Sequence, residues 1–385
     1  MQTCANKKTV CRLCANELFE SPLLHFENMP KSAQYLPDNQ SVLNDRGIPL
    51  DIYQCSGCGL VQLTIEPVPY YKEVIRATAF SESMIQFRKN QFDSFLNRFD
   101  LNHPRKKIIE IGCGNGEFLK LLMQFQLDVY GIEWSDTFVN ECKHHGLNVE
   151  KGFIGGPNDI IAGGPFDSFL MMNFLEHLPN PNATLRGIYN NLSDHAVGVV
   201  EVPNYDMILQ HRLFSEFIPD HLSYFTQKTL CLALEINGFD ILGCDTIWHD
   251  YIISVVVKKR ERQAPHAFIE EQKRLTKELH SFIERFPKHK VAIWGAGHQS
   301  FAVIALTGIA DHIRYIVDSA PFKQGKFSPA THLPIVGPDY LLQDPVDAVI
   351  VIAGSYSDEV AGILRKHHPC NHIAVVTANG LSIVQ

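Results

Sequence analysis

No stretch of this 385-residue sequence stays apolar for anything near the ~20 residues that cross a bilayer. A membrane-spanning helix is therefore not expected. The opening residues, MQTCANKK, also lack the apolar core of a secretory signal. A soluble, cytoplasmic protein with no membrane partner is the expectation. Positive charge is scarce as well: 34 Lys and Arg stand against 42 Asp and Glu, for a net charge of −8. The basic runs are short pieces such as Lys258-Lys259-Arg260. A protein that grips a phosphate backbone carries a basic excess, so the balance disfavours a nucleic-acid partner and favours a small-molecule substrate. A local basic pocket for a diphosphate stays compatible with it. Low-complexity segments are lacking, as is any repeat with a period of roughly 20–50 residues, which excludes a solenoid.

What is present is ordinary globular composition, 45% apolar and 20% charged. One hydrophobic core rarely grows to this length. Patterning divides the chain into a small Cys-bearing module at 1–65, a domain at 66–260 that opens with a helix, a linking helix at 261–289, and a smaller domain at 290–385. In the second division apolar strands (KKIIEIG, LDVYGIE, FDSFLMM, AVGVVEVP) alternate with helical stretches such as GEFLKLLMQFQ. The last division repeats this with HKVAIWGAG, IRYIVDS, DAVIVIAGS and HIAVVTA. Such alternation means βαβ units around mostly parallel sheets. The fold class expected is α/β, with an N-terminal metal module and two Rossmann-like domains.

Ten cysteines are present, and four fall in two CxxC pairs: Cys11 with Cys14, and Cys55 with Cys58. With no export signal, this spacing reads as metal binding rather than a disulfide framework. Two tight turns of two thiolates each complete a tetrahedron, which suits a structural Zn²⁺ with no open position. The 40 residues between the pairs must fold over the knuckles. Buried free thiols or a redox pair are the alternatives, and Cys4 is a spare thiol nearby.

The segment IIEIGCGNGEFL runs a strand into Gly112, Gly114 and Gly116 and then into a helix. Glycine lets the backbone turn sharply and approach a ligand. Glu110, two residues before the first glycine, would repel a pyrophosphate but suits the ammonium of a methionine moiety. The pattern therefore reads as a site for S-adenosylmethionine (SAM) rather than NAD. Glu133 ends the next strand, where an acidic residue hydrogen-bonds ribose hydroxyls. Phe153 and Ile154 in GFIGG are placed over the adenine. Asn173, Glu176 and His177 follow the strand FDSFLMM, at the edge where open α/β sheets bind ligands.

Together these segments resemble the deoxysugar C-methyltransferases, SAM-dependent enzymes of nucleotide-linked keto-sugars. The resemblance rests on the paired CxxC module, EIGCGNG, NFLEHLPNP, EVP at Glu201–Pro203, DHLSYF at Asp220–Phe225, the loop at 295–297 and VDSAPFKQGKFSPATHLPI. It implies that His221 abstracts the proton beside a ketone, that Asp220 is its acidic neighbour, and that the C-terminal domain holds the nucleotide diphosphate through Gly295–Gly297 and Lys323 to Lys326. The chain departs from that pattern at Ile218 and in the segment Arg76–Phe80, where family members carry tyrosine. It departs also at Gly354-Ser355, where Trp-Asn is common.

A carbon beside a carbonyl is nucleophilic only as an enolate, so a base is needed. Histidine titrates near neutrality, and a neighbouring carboxylate can fix its tautomer. His221 and His177 are the candidates, each preceded by an acidic residue. An O- or N-methyltransferase of a sugar or other metabolite, a nucleic-acid methyltransferase and a non-catalytic SAM-binding module are the competing readings. NFLEH lacks the [DN]PPY sequence of enzymes that methylate exocyclic amines, and GAGHQS lacks the third glycine of an independent NAD site.

Overall fold

A computed structural model describes residues 10–34, 36–73, 81–368 and 372–385. Cys4 and the segment 76–80 lie outside them. Contacts divide the chain into two compact units, Met1–Glu261 and Arg262–Gln385. Among the described residues no helix is long and apolar enough to cross a membrane.

In the first unit, β1 (Leu24–Met29), β2 (Ile48–Gln54) and β3 (Val61–Leu63) form an antiparallel sheet between and beyond the two CxxC turns. Leu50, Ile52, Val61 and Leu63 alternate into a small core, while β1 stays largely exposed. The central strands follow: β4 (Lys107–Ile111), β5 (Asp128–Glu133), β6 (Val149–Lys151), β7 (Phe166–Met172) and β8 (Leu192–Pro203). Next come β9 (Ser223–Tyr224), β10 (Phe239–Ile247) and β11 (Ile252–Lys259). The large sheet has the order β10-β11-β8-β7-β4-β5-β6, parallel from β8 to β6 and antiparallel at β11 and β10. Its inner strands are buried on both faces, as parallel sheets require. The strand order reverses direction between β4 and β7. That switch opens a crevice at the carboxyl ends of the strands, where ligands bind. β9 leaves this domain to pair with β3, so the two sheets are knitted together.

The second unit holds β12 (Val291–Trp294), β13 (Ile313–Val317), β14 (Ile335–Val336), β15 (Ala348–Val351), β16 (His372–Thr377) and β17 (Gly380–Ile383). Their order is β14-β13-β12-β15-β16-β17, parallel except at β17. The helix expected as a link is His266–Ile283. Leu279, Phe282 and Ile283 on it are buried in this unit's core beside Ile304 and Ile350, so it packs as the unit's first helix.

Candidate active site and zinc site

The two CxxC turns bring four sulfurs together. Sγ of Cys11 lies 3.6 Å from that of Cys58, and Sγ of Cys14 lies 3.4 Å from that of Cys55. These separations are too long for disulfides and suit ligands around one ion, and all four sulfurs lie within 4.8 Å of one another. Backbone N–H groups of Leu13, Gly57 and Cys58 point at Cys11 and Cys55 sulfurs at 3.3–3.4 Å, which stabilises thiolate. Burial pushes the Cys11 and Cys58 thiols up; a bound divalent cation reverses that by favouring the charged form. The residues thus fit Zn²⁺. The knuckle is tied into its surroundings by Arg12, whose guanidinium donates to the carbonyls of Leu63, Ile65 and Pro179. Asn182 donates to the carbonyl of Leu13 at 2.7 Å.

At the switch point, Gly112, Gly114 and Gly116 take φ values of 70°, 55° and 77°, which disfavour side chains. A Cβ on Gly116 would sit 2.3 Å from Leu147 Cδ1. Glu110 is fully buried beneath this loop. Glu133 is buried at the end of β5, and its two oxygens accept from the N–H groups of Gly114 and Ser135, each at 2.9 Å. Desolvation raises its pKa despite those bonds. Each oxygen keeps a second lone pair for a hydroxyl donor. Phe153 meets Tyr71, Trp134 and Phe174 edge-on in a pocket of about 430 Å³, with the Lys72 ammonium over the Trp134 ring at 4.4 Å. Ile154 does not join it. Its side chain is buried in the core and its carbonyl accepts from Thr184, because the chain turns inward there to pack against Gly187. Trp134 was not singled out from sequence, although a large aromatic directly after the acidic strand end is a readable signal.

A neighbouring cavity of about 610 Å³ is walled by Met172, Asn173, Glu176 and His177 after β7 and by Ile218, Asp220 and His221 before β9. Arg88, Phe118, Tyr70 and the Ala33–Gln34 segment close it. Asn173 has φ 51°, a conformation asparagine tolerates. Its buried Oδ1 has no hydrogen-bond partner among the described residues, and a buried orphan of this kind marks a place for a ligand group. The rings of His177 and His221 meet edge to face with centroids 4.8 Å apart. Desolvation lowers both, His221 down to about 3. Sequence adjacency suggested that Asp220 or Glu176 would orient these rings through a carboxylate. The geometry corrects this for Asp220. Its oxygens accept from the Tyr70 hydroxyl at 2.7 Å and from Ala33 N–H at 3.0 Å. It is the Asp220 backbone carbonyl that takes His177 Nδ1–H, at 2.8 Å. Tyr70 and Arg88 were also not foreseen, because they reach the cavity from elements distant in sequence.

In the second unit, the turn Trp294–Gly297 and the end of β13 border a pocket of about 350 Å³. Asp318 accepts from Ala296 and Ala320 N–H groups and from Lys323 Nζ at 2.8–2.9 Å. Burial opposes its ionisation, but these partners outweigh it and hold the carboxyl low.

Three family models match consecutive parts of the chain. They describe a proposed zinc binding domain (residues 11–69), a methyltransferase domain (84–243) and a C-methyltransferase C-terminal domain (258–375). C-methyltransferase NovU of Streptomyces niveus is 22% identical over 383 residues, 91% of this chain and 90% of that protein. A ubiquinone biosynthesis O-methyltransferase of Bordetella avium is 29% identical over 86 residues, 21% of this chain and 36% of that protein. A SAM-dependent methyltransferase structure from Clostridium acetobutylicum is 12% identical, with a TM-score of 0.39, over 50% of this chain and 96% of that one. SAM and zinc are thus the cofactors that the methyltransferase and cysteine-bearing parts take. The chain is a SAM-dependent methyltransferase, similar to C-methyltransferase NovU over nearly its whole length, in which matches to a zinc binding domain, a methyltransferase domain and a C-methyltransferase C-terminal domain follow one another.

Proposed function

We propose that this protein methylates the carbon beside the ketone of a nucleotide-linked keto-deoxysugar, with His221 as the base. The observation that carries the reading is the meeting of His221 and His177 in one cavity that Phe118, two residues past the glycine loop, also lines. At neutral pH both rings are uncharged, so each keeps a lone pair. His177 Nδ1 must donate, because its partner is a carbonyl, and the ring is thereby fixed. Among the described residues the His221 ring has no such tether, and it is the better placed to accept a proton.

The roles follow from this. The glycine loop with Glu110 receives the methionine end of SAM, Glu133 the ribose hydroxyls, and Phe153 with Trp134 the adenine. Bound SAM supplies a methyl group activated by a positively charged sulfur. His221 takes the proton beside the carbonyl, and the C–H electrons move into an enolate. That carbon would take up the methyl group that bound SAM supplies, the sulfur keeping the bonding pair, and the ketone would be restored. Phe118, Met172 and Ile218 add apolar surface beside these polar groups. Asp220, held by Tyr70 and Ala33, fixes the backbone turn that presents His221. The second unit's Gly295–Gly297 turn, with Lys323, is the proposed nucleotide site.

The test is a mass-spectrometric screen of nucleotide-linked 4-keto sugars with SAM, looking for the mass of one added CH₂ on carbon. His221→Asn is expected to lower turnover roughly 10²–10⁴-fold, the span of general base catalysis, with SAM affinity kept. His177→Asn should cost less. Loss in His177→Asn with activity kept in His221→Asn reverses the assignment. Activity in both, with the methyl group found on oxygen or nitrogen, removes the enolate reading.

A further inference from the structure

Glu176 sits in the single helical turn Leu175–His177 that follows β7 and is only 2% exposed, yet it belongs to the wall of the 610 Å³ cavity. Its Oε2 is buried with no hydrogen-bond partner among the described residues. A buried carboxylate without donors is costly, so the group that completes this oxygen has to come from the cavity or the oxygen has to carry a proton. Its other oxygen faces His177 Nε2 at 3.8 Å. Since His177 Nδ1 donates to the Asp220 carbonyl, the neutral ring presents a lone pair at Nε2. A lone pair opposite a carboxylate repels it, whereas a carboxylic acid faces it without penalty.

Tyr71 and Glu73 also line the wall, and most of its other charged groups are engaged elsewhere. Arg88 pairs with Glu201 at 2.6 Å, Asp220 with Tyr70, and Glu216 accepts from the Tyr251 hydroxyl at 2.8 Å. Glu176 is the carboxylate that stands with the two imidazoles. Ligating atoms of Glu176, His177 and His221 all lie within 4.8 Å of one another, close enough to address a carbonyl oxygen and the carbon beside it on one substrate.

Resting on the reading above, we propose that Glu176 is a second catalytic residue, a neutral carboxylic acid that donates its hydrogen bond to the ketone oxygen as that oxygen becomes an enolate. His221 takes the carbon-bound proton, and the charge that develops on oxygen is met by the Glu176 O–H. The proton stays with Glu176, and the hydrogen bond weakens again when the ketone is restored. Burial acts in the same direction, raising the Glu176 carboxyl to about 8. Two groups in one cavity whose surroundings push their pKa values apart mark an acid and a base.

Two measurements test this, on the full zinc-bearing protein. The first is infrared titration of SAM-loaded enzyme with no sugar present. It should show the carbonyl stretch of a protonated carboxylic acid that disappears as pH rises through about 8 and is missing in Glu176→Gln. The second is turnover of thymidine diphosphate-4-keto-6-deoxyglucose against pH. Wild type should lose kcat above about 8. Glu176→Gln, which still offers an N–H donor, should stay within roughly tenfold and lose that alkaline fall. Glu176→Ala should drop roughly 10²–10³-fold, the cost of one oxyanion donor. An infrared band that is absent, or a Glu176→Gln enzyme that is inactive at every pH, overturns the proposal. The band with no turnover of this sugar, and a drop in Glu176→Ala on whichever ketone the screen yields, would keep it and reject the sugar.

Discussion

Burial acts on Glu176 and His221 in opposite directions, and folding stability should register each separately. Glu176 is raised from 4.5 to about 8, so its contribution is fully present below 4.5 and is lost as pH rises through about 8. His221 is lowered from 6.5 to about 3, so its contribution is present above 6.5 and lost as pH falls toward 3. Between 4.5 and 6.5 the two oppose one another. Thermal melts should therefore show Glu176→Gln gaining on wild type, by several degrees, between about pH 5 and about pH 9. His221→Asn should gain on wild type as the medium is acidified. Parallel melting curves for variant and wild type across both windows would show that neither group is desolvated as described. Glu133 makes a second case at this scale. Removing a charged acceptor should weaken SAM binding by roughly 1–3 kcal/mol in Glu133→Ala, read by calorimetry. Its position was legible because it stands at a strand end in register with the glycine loop. The use of Asp220 was not legible: the residue is near His221 in sequence, but its partners come from distant connecting segments, Ala33 between β1 and β2 and Tyr70 after β3.

Strands that run apolar between turn signals were readable one by one, β4, β5, β7 and β8 in the first unit and β12, β13, β15 and β16 in the second. The helix after Gly116 ends at Leu122, short of its apolar pattern, because the chain tightens there into bonds from Gln124 to Leu121 and from Phe125 to Leu122. β1 offered only a brief alternation, Leu24 and Phe26 with His25 and Glu27, and four of its six residues are exposed, so its pairing with β2 is what makes it a strand. Helix Glu82–Arg98 shows the same limit in its side chains. Ser81 caps it by accepting from Met84 N–H, and Phe92, Phe95 and Leu96 face the core, as the pattern implies. Arg88 is fully buried on that face because it meets Glu201 of β8, 113 positions away, with Gln91 and Ser254 completing the carboxylate. Breaking a buried pair leaves a charge uncompensated. Arg88→Ala should cost about 3–5 kcal/mol in urea unfolding. Adding Glu201→Ala should cost much less than a second such loss, since the two residues are coupled. Additive losses would mean that the pair does not act as a unit.

At the scale of the molecule, the cysteine knuckles and the cavity that holds His177 and His221 are one construction. Arg12 ties the first knuckle to Pro179 beyond β7, β3 pairs with β9, and β9 directly follows His221. The segment Ala33–Gln34, which lies between the two CxxC turns, lines the cavity and binds Asp220 and Tyr70 through its backbone N–H groups. The glycine loop and Glu133, in contrast, are set by β4, β5 and the packing beneath them. Four thiolates hold the knuckles only while a cation balances their charge, so metal binding and folding of this module are coupled. Metal analysis should find one zinc per chain. Removing it with a chelator, or changing Cys55→Ser, should raise KM for the methyl acceptor and lower the melting temperature. SAM affinity should change by less than roughly threefold, well under the tenfold that 1.4 kcal/mol represents. The contrast between the two ligands decides the matter. Equal loss of both would mean that the module merely supports the whole first unit. Loss of neither would mean that the Ala33–Gln34 wall holds its place without the metal.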